Sequence, residues 1–266
     1  MKSIQQLMSL SGRRTVITGG AGNLGCALAD TFAELKADIV LVDIDEAGLE
    51  RSAHDLKAKS DISVEAITCD LESEPKRNEL IASLKQLGNI DILVNNAAFV
   101  GESNLEGWVA PFEEQTLETW RRAIEVNLTA VFHLSQGLAG KLAENKRGSI
   151  INISSIYGMV GPDMSLYEGT SMGNPAAYAA SKGGVVQLTR WLSTVLAPDV
   201  RVNCISLGGI ERSQEKKFQE RYIEKTPLGR MGTEEDIKGA VGYLATELSG
   251  YVTGQNIVVD GGWTSW

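Results

Sequence analysis

Seven short apolar runs recur along the chain: RTVIT (14–18), ADIVLVD (37–43), VEAITCD (64–70), DILVNN (91–96), GSIINIS (148–154), VRVNCIS (200–206) and QNIVVD (255–260). Most are continuously apolar rather than alternating, the pattern of parallel strands covered on both faces. Between them lie longer stretches with helical spacing, notably 24–36, 117–143, 176–197 and 233–246. TEED (233–236) reads as a capping box at the start of the last one, with Thr233 as N-cap and Asp236 where Glu or Gln is usual. The alternation runs on without internal repeat, low-complexity tract or Pro/Ser-rich linker. It predicts one α/β domain over 1–266, a three-layer, doubly wound fold on a mainly parallel sheet of seven strands. Two connections, 99–116 and 156–175, are long for their positions. Long loops in such folds gather at the carboxyl ends of the strands, where ligands bind.

Composition narrows the function classes. Apolar residues make up 43% and charged residues 22% of 266, which suits a buried core and not disorder. The formal net charge of -9 lacks the Lys/Arg surplus that a nucleic-acid partner requires. Cys26, Cys69 and Cys204 are odd in number and far apart, and there are only two histidines, so no metal site is expected. The cysteines read as small core residues, and His54 and His133 as ordinary helix residues. A reduced, cytoplasmic setting fits this cysteine usage. MKSIQQLMSLSG (1–12) lacks the features of a signal peptide, and no apolar run reaches membrane-spanning length, so no membrane partner is expected.

VITGGAGNLG (16–25) joins the first strand to the first helix, with Gly19, Gly22 and Gly25 spaced by three and Asn23 and Leu24 between the last two. Small residues there let the backbone approach a pyrophosphate seated on the helix N-terminus. Glycines also build ordinary turns, so the context matters: strand before, helix after, and Asp43 at the end of the next strand. A carboxylate at Asp43 accepts from adenosine ribose hydroxyls and repels a 2′-phosphate. No Lys or Arg lies between Gly19 and Gly25, and Ile44 follows the acid. These features favour NAD over NADP. The bland alternative for Asp43 is a solvated carboxylate at a strand end.

Tyr178 and Lys182 lie four apart in NPAAYAASKGG (174–184), on one helical face. Many ordinary helices carry such a pair. A free tyrosine, with a pKa of about 10, is too weak a base near neutrality. A neighbouring ammonium favours the phenolate and brings it toward the operating range.

The ordered series TGGAGNLG (18–25), CDL (69–71), NNAA (95–98), EVNL (125–128), NISS (152–155), YAASK (178–182), RVNCIS (201–206) and YVTGQNIVVDGG (251–262) resembles the short-chain dehydrogenase/reductase family in its compact, single-domain branch. The resemblance runs from about residue 10 to the C-terminus. It implies a Rossmann fold and an NAD(P)-dependent oxidoreductase acting on CH–OH groups of a small molecule. It implies that Asp70 and Leu71 lie beside the adenine and that Asn96 and Ala97 line the cofactor cleft. Asn127, Ser155, Tyr178 and Lys182 match the family's catalytic tetrad. In that scheme Ser155 donates to the developing alkoxide or carbonyl oxygen, Lys182 also reaches the nicotinamide ribose, and Asn127 holds a water linking Lys182 to solvent. The resemblance further implies a homo-oligomer, tetramer or dimer, with the 233–246 helix and the Trp-bearing C-terminus as contacts.

Three departures from the family pattern bear on the site. The glycine motif has the spacing of the extended branch, with Asn23 where the compact branch carries glycine; asparagine tolerates left-handed backbone angles, so Asn23 is expected to serve. In ISLGGIER (205–212) Leu207 replaces the family's usual proline, and Arg212 stands near the position of a threonine that faces the nicotinamide amide. Ile210 can still offer backbone groups to that amide. The third departure is the longer 156–175 segment, whose Tyr157, Tyr167, Glu168 and Asn174 are candidates to hydrogen-bond a polyhydroxylated substrate. Loop 99–116 adds Trp108 and Phe112 as apolar walls. Alternatively, both loops pack at a subunit contact.

A substrate lid is expected within 208–230. Residues 211–230 hold six Lys/Arg and four Glu, which fits either an anionic substrate such as a sugar phosphate or a solvated helix face. MGNPAAYAASKGG, TPLGRMGTEED and DGGWTSW together are similar to a subgroup associated with flagellin modification and nonulosonic-acid sugars in bacteria. The resulting expectation is an NAD-dependent enzyme that moves hydride between nicotinamide and a secondary alcohol or ketone of a polar small molecule, such as a sugar or amino-sugar derivative. Ser155, Tyr157, Asn174 and Arg212 are the candidate substrate contacts. A ketoacyl-carrier reductase should prefer NADPH, which Asp43 disfavours. A non-catalytic dinucleotide sensor is disfavoured by the intact tetrad, and an extended-branch epimerase is the remaining alternative.

Overall fold

The computed structural model describes residues 1–100, 103 and 105–266. A short helix α1 (Ile4–Met8) precedes β1 (Arg14–Thr18), α2 (Asn23–Glu34), β2 (Asp38–Asp43), α3 (Glu46–Lys59), β3 (Val64–Thr68) and α4 (Glu74–Gln86). There follow β4 (Ile92–Asn95), α5 (Leu117–Ile124), α6 (Ala130–Ala143), β5 (Gly148–Ser155), α7 (Ala176–Val195) and β6 (Val200–Leu207). The chain closes with α8 (Lys216–Glu224), α9 (Glu235–Ala245) and β7 (Asn256–Val259). The strands form one parallel sheet in the order β3-β2-β1-β4-β5-β6-β7. This is the expected doubly wound Rossmann architecture, and each predicted strand is present with ends shifted by at most two residues. Among the described residues no helix is long and apolar enough to cross a membrane.

The two-residue period of the strands divides the core. Ile17, Ile39, Leu41, Val94, Ile151 and Ile205 face one way and pack with Leu28, Phe32, Val241 and Leu244. Val16, Val40, Val42, Leu93, Ile150 and Val202 face the other way and pack with Leu80, Leu84, Leu134, Leu138 and Leu192. Central strands are buried throughout, whereas edge strand β3 alternates and edge strand β7 is mostly half-exposed. Leu207 extends β6 by a pairing with Ser155 on one side and Val259 on the other. Its side chain is part of the core, so the residue in the proline position serves the sheet.

Two helical expectations are corrected. The 117–143 stretch is interrupted by a π turn over Glu125–Thr129. The wider turn sits between α5 and α6, and Asn127 within it is 1% exposed. Helix α9 starts at Glu235 and not at a Thr233 cap. The Asp236 carboxylate collects the Thr233 N–H at 2.7 Å, the Thr233 hydroxyl at 3.2 Å and the Arg230 guanidinium at 2.7 Å. With its hydroxyl turned to that carboxylate, Thr233 supplies only half of a capping box.

His133 also differs from expectation, since its Nδ1 accepts from Arg77 Nε at 3.1 Å. Arg77, 1% exposed, donates in addition to the Leu71 carbonyl and to the Glu125 carboxylate. One buried guanidinium thus ties the segment after β3 to the π turn. Arg77→Met is expected to lower unfolding free energy by about 2 kcal/mol, chiefly because it leaves the buried Leu71 carbonyl without its donor. Urea unfolding of the two proteins measures the difference.

Candidate active site

β1 lies between β2 and β4, so the connections from β1 and β4 leave on opposite faces and open a crevice at the strand ends. Gly19 turns the chain there with φ +69, and a Cβ on it would meet the Asn96 amide nitrogen at 2.8 Å. A Cβ on Gly25 would lie 1.9 Å from the Gly19 carbonyl oxygen, so α2 can start this close to the turn only with glycine there. Gly22 is the N-cap of α2 in extended conformation, and Asn23 is its first helical residue. Asn23 therefore needs no left-handed angle, contrary to expectation; Gly19 alone in this turn has positive φ.

Backbone donors fix the acid of the second strand. Asp43 Oδ2 accepts from Ala21 N–H at 3.0 Å, and Oδ1 from Ile44 and Asp45 N–H at 2.7 and 3.1 Å. The carboxylate of Asp70 accepts from Glu72 N–H at 3.0 Å. Asn96 Nδ2 donates to the Thr18 and Gly19 carbonyls at 3.0 and 3.2 Å, while Asn96 and Ala97 N–H both donate to Thr18 Oγ1. The end of β4 is thereby bolted to the glycine turn.

Lys182 is 4% exposed on α7, and its Nζ donates to the Ile153 carbonyl at 2.9 Å. The same ammonium lies 5.7 Å from the centroid of the Tyr178 ring. Burial holds the Lys182 amine down at about 8, with a small opposing pull from Cys204. Burial also raises the Tyr178 phenol above its ordinary value, and the Ser155 hydroxyl pulls it part of the way back. In the free chain, desolvation therefore outweighs any lowering of Tyr178 by the ammonium. Ser154 Oγ donates to the Lys182 carbonyl at 2.9 Å, and a Cβ on Gly158 would sit 2.7 Å from that same carbonyl group.

Asn127 is placed differently from the other candidates. Its Oδ1 accepts from Phe99 N–H at 2.7 Å, and its Nδ2 donates to the Phe99 carbonyl and to Ser181 Oγ, each at 3.1 Å. Ser181 Oγ in turn donates to the Tyr178 carbonyl at 2.8 Å. The side-chain amide thus fixes the backbone of Phe99 directly and that of Tyr178 through Ser181.

A cavity of about 990 Å³ runs from the glycine turn to the Ser155–Tyr178–Lys182 corner. The cofactor candidates from Gly19 to Ile210 border it, as do Tyr157, Tyr167, Asn174 and Arg212, whereas Glu168, Trp108 and Phe112 do not. The narrow glycine turn, the helix N-terminus and the fixed Asp43 carboxylate suit a dinucleotide laid along this cleft.

Five of the six cations in 211–230 are already engaged. Arg212 pairs with Glu234, Lys225 with Asp163, Lys216 with Glu220 at 3.8 Å and Arg230 with Asp236. Arg221 donates to the carbonyls of Ser165, Leu166 and Glu168. Apart from Lys216, whose partner lies on the same helix, these groups tie the lid to loop 156–175 and to the start of α9. The Tyr157 and Tyr167 hydroxyls bond each other at 2.9 Å, and burial keeps both phenols neutral by raising them. Asn174 Oδ1 is buried with no partner among the described residues. Trp108 is buried against Ala123, Ala177 and Tyr178 and donates to the Val100 carbonyl at 2.7 Å, whereas Phe112 is 78% exposed.

Sequence reading passed over Phe99, Met172, Phe218, Tyr222 and Met231, which also border the cleft. The signal for Tyr222 was the glycine pair 208–209, since each glycine lies against its phenol.

A family model described as enoyl-(acyl carrier protein) reductase matches residues 19–264. The 3-oxoacyl-(acyl-carrier-protein) reductase FabG of Thermotoga maritima is 32% identical over 265 residues, covering 96% of this chain and 99% of that protein. A gluconate 5-dehydrogenase from Burkholderia cenocepacia, solved with NADP and tartrate, superposes with a TM-score of 0.87 at 29% identity, over 99% of this chain and 100% of that one. A short chain dehydrogenase from Leptospira borgpetersenii with bound NAD+ gives 0.82 at 34% identity, over 99% and 96%.

The buried amine carries a pH signature. Unfolded, Lys182 keeps its proton up to about 10.5; folded, it releases it near about 8. Between these values the unfolded chain binds more protons, so stability rises with pH. The stability of wild type relative to Lys182→Met is expected to rise across that window, which denaturant titrations at several pH values measure.

Proposed function

Because the chain belongs to the short-chain dehydrogenase/reductase family, we propose that it is an NAD-dependent enzyme interconverting a secondary alcohol and a ketone on an uncharged, hydroxylated small molecule such as a sugar derivative. The observation that carries this reading is the continuous cleft joining the glycine turn and Asp43 to Ser155, Tyr178 and Lys182. The dinucleotide, when bound, supplies or accepts the hydride.

Tyr178 moves the proton of the reacting oxygen. Its phenol stands at one end of the cleft with the Lys182 ammonium over its ring, so the phenolate it becomes is held by a cation already in place. Ser155 aims its hydroxyl at the same oxygen and stabilises charge that develops there. Asn127 acts through Phe99 and Ser181, holding the wall of the cleft and the backbone of α7 at Tyr178. The main-chain groups of Ile210, which line the cleft, would be the ones to hold the nicotinamide carboxamide.

Asp43 supports NAD. Three N–H donors fix its carboxylate, so a 2′-phosphate meets a negative charge that cannot swing away, with no neighbouring cation in the turn to compensate. A neutral substrate follows from the engaged cations of the lid and from the Tyr157–Tyr167 hydroxyl pair. The likeness to FabG and the apolar wall of Met172, Phe218 and Met231 support a second reading, a ketoacyl-carrier reductase, which a strong NADPH preference would favour.

A panel of sugars, polyols and ketoacyl thioesters, assayed with NAD and NADP separately by nicotinamide absorbance, separates the two. Tyr178→Phe is expected to lower kcat/KM at least about 100-fold with the fold intact. Full turnover in that variant would overturn the mechanism. Asp43→Ala is expected to shift the NAD:NADP ratio of kcat/KM about tenfold toward NADP, by removing both ribose acceptor and repulsion.

A further inference from the structure

Beyond Leu207 the chain continues through Gly208, Gly209 and Ile210 along the cleft. Hydrogen bonds hold this strip on both edges. Gly208 N–H donates to the Val259 carbonyl at 2.9 Å, Gly232 N–H to the Gly209 carbonyl at 2.9 Å, and Glu211 N–H to the Gly232 carbonyl at 2.8 Å. The Ile210 carbonyl accepts from Gln214 Nε2 at 2.8 Å. Gly209 N–H has a side-chain acceptor, the hydroxyl of Tyr222 on α8, at 2.6 Å.

The ring of Tyr222 lies against the same strip. A Cβ on Gly209 would meet Tyr222 Cζ at 2.9 Å and Met231 Cε at 3.0 Å, and a Cβ on Gly208 would meet the Tyr222 hydroxyl oxygen at 3.0 Å. The two glycines are what allow a phenol to press on the backbone here. Tyr222 is 2% exposed, stacked on Trp263 at 5.7 Å and 18° and tilted against Phe218 at 5.8 Å and 34°. Its place is therefore set by α8 and by the C-terminal turn. Burial pushes its phenol up to about 12, so it is neutral near pH 7.

We propose that Tyr222 is a positioning residue, whose hydroxyl holds the Gly209–Ile210 strip in the conformation that receives the nicotinamide end of the cofactor. It supplies from α8 the stiffness that a proline would supply within the strip, and it links Trp263 to the reactive end of the cleft. The proposal rests on the dinucleotide reading above.

The test compares NAD with ADP-ribose, which lacks the nicotinamide that the strip is proposed to receive, by calorimetric titration. Tyr222→Phe keeps the ring and removes the hydroxyl. Its Kd for NAD is expected to rise about tenfold, because Gly209 N–H loses its buried acceptor in the ordered strip. Its Kd for ADP-ribose is expected to stay within about twofold, since that ligand lacks the group the strip is proposed to receive. A merely structural role would weaken both ligands together. Gly209→Ala, which pushes the strip off the ring, should show the same selective loss and carries the test if Tyr222→Phe does not fold. Equal weakening of both ligands, or undiminished NAD affinity, in the folded variants overturns the proposal alone. A wild-type chain that binds neither ligand overturns the dinucleotide reading and this proposal with it.

Discussion

Lys182 puts an ammonium group into the joint between β5 and α7, away from water, with the Ile153 carbonyl accepting from it. Such a group is costly to bury, and its amine is correspondingly easy to deprotonate. Much of the surrounding construction keeps this joint closed. Ser154 grips the Lys182 carbonyl, Gly158 gives up its side chain so the loop after β5 can lie on α7, and Asn127 reaches through Ser181 to the backbone of Tyr178. The π turn is part of the same arrangement, since it buries an amide at the level of that helix. A cation held this way stands beside the phenol before any ligand arrives, so reorganisation is not left to the reaction itself.

Much of the fold was legible in the sequence because continuous apolar strands and helical periodicity are local signals. Those signals located all seven strands and the glycine turn. What stayed hidden depended on distant partners. The spacing of Tyr178 and Lys182 was readable, yet not that Asn127 would bond to Phe99 and Ser181. His133 looked like any helix residue because its partner, Arg77, is remote in sequence and buried. Thr233 had the right neighbour for a capping box, but Arg230 shares the Asp236 carboxylate, which turns the threonine hydroxyl into a donor.

The lid shows most plainly why charge counts mislead. Six cations in twenty residues fitted either an anionic substrate or a solvated helix face. Their partners lie on other segments, at Asp163, Glu234, Asp236 and the carbonyls of 165–168. The long insertion before Tyr178 has a matching structural use. Its Leu166 and Tyr167 join Phe218, Tyr222, Met231 and Trp263 in an aromatic and aliphatic block beneath α8. The insertion and the lid are thus one assembly, which presents to the cleft the paired phenols of Tyr157 and Tyr167, Asn174, and lid residues such as Ser213 and Gln214.

That assembly has two fastenings of opposite character. Its rim is held by partly exposed ion pairs, Lys225 with Asp163 and Arg212 with Glu234, whose attraction fades as dissolved ions screen it. Its underside is held by buried rings, whose association excluded salts such as sulfate strengthen. Raising the concentration of such a salt loosens the rim while tightening the base. The cover over the cleft therefore answers to the kind of salt in solution as well as to its amount, and chloride and sulfate at equal ionic strength leave it in different balance.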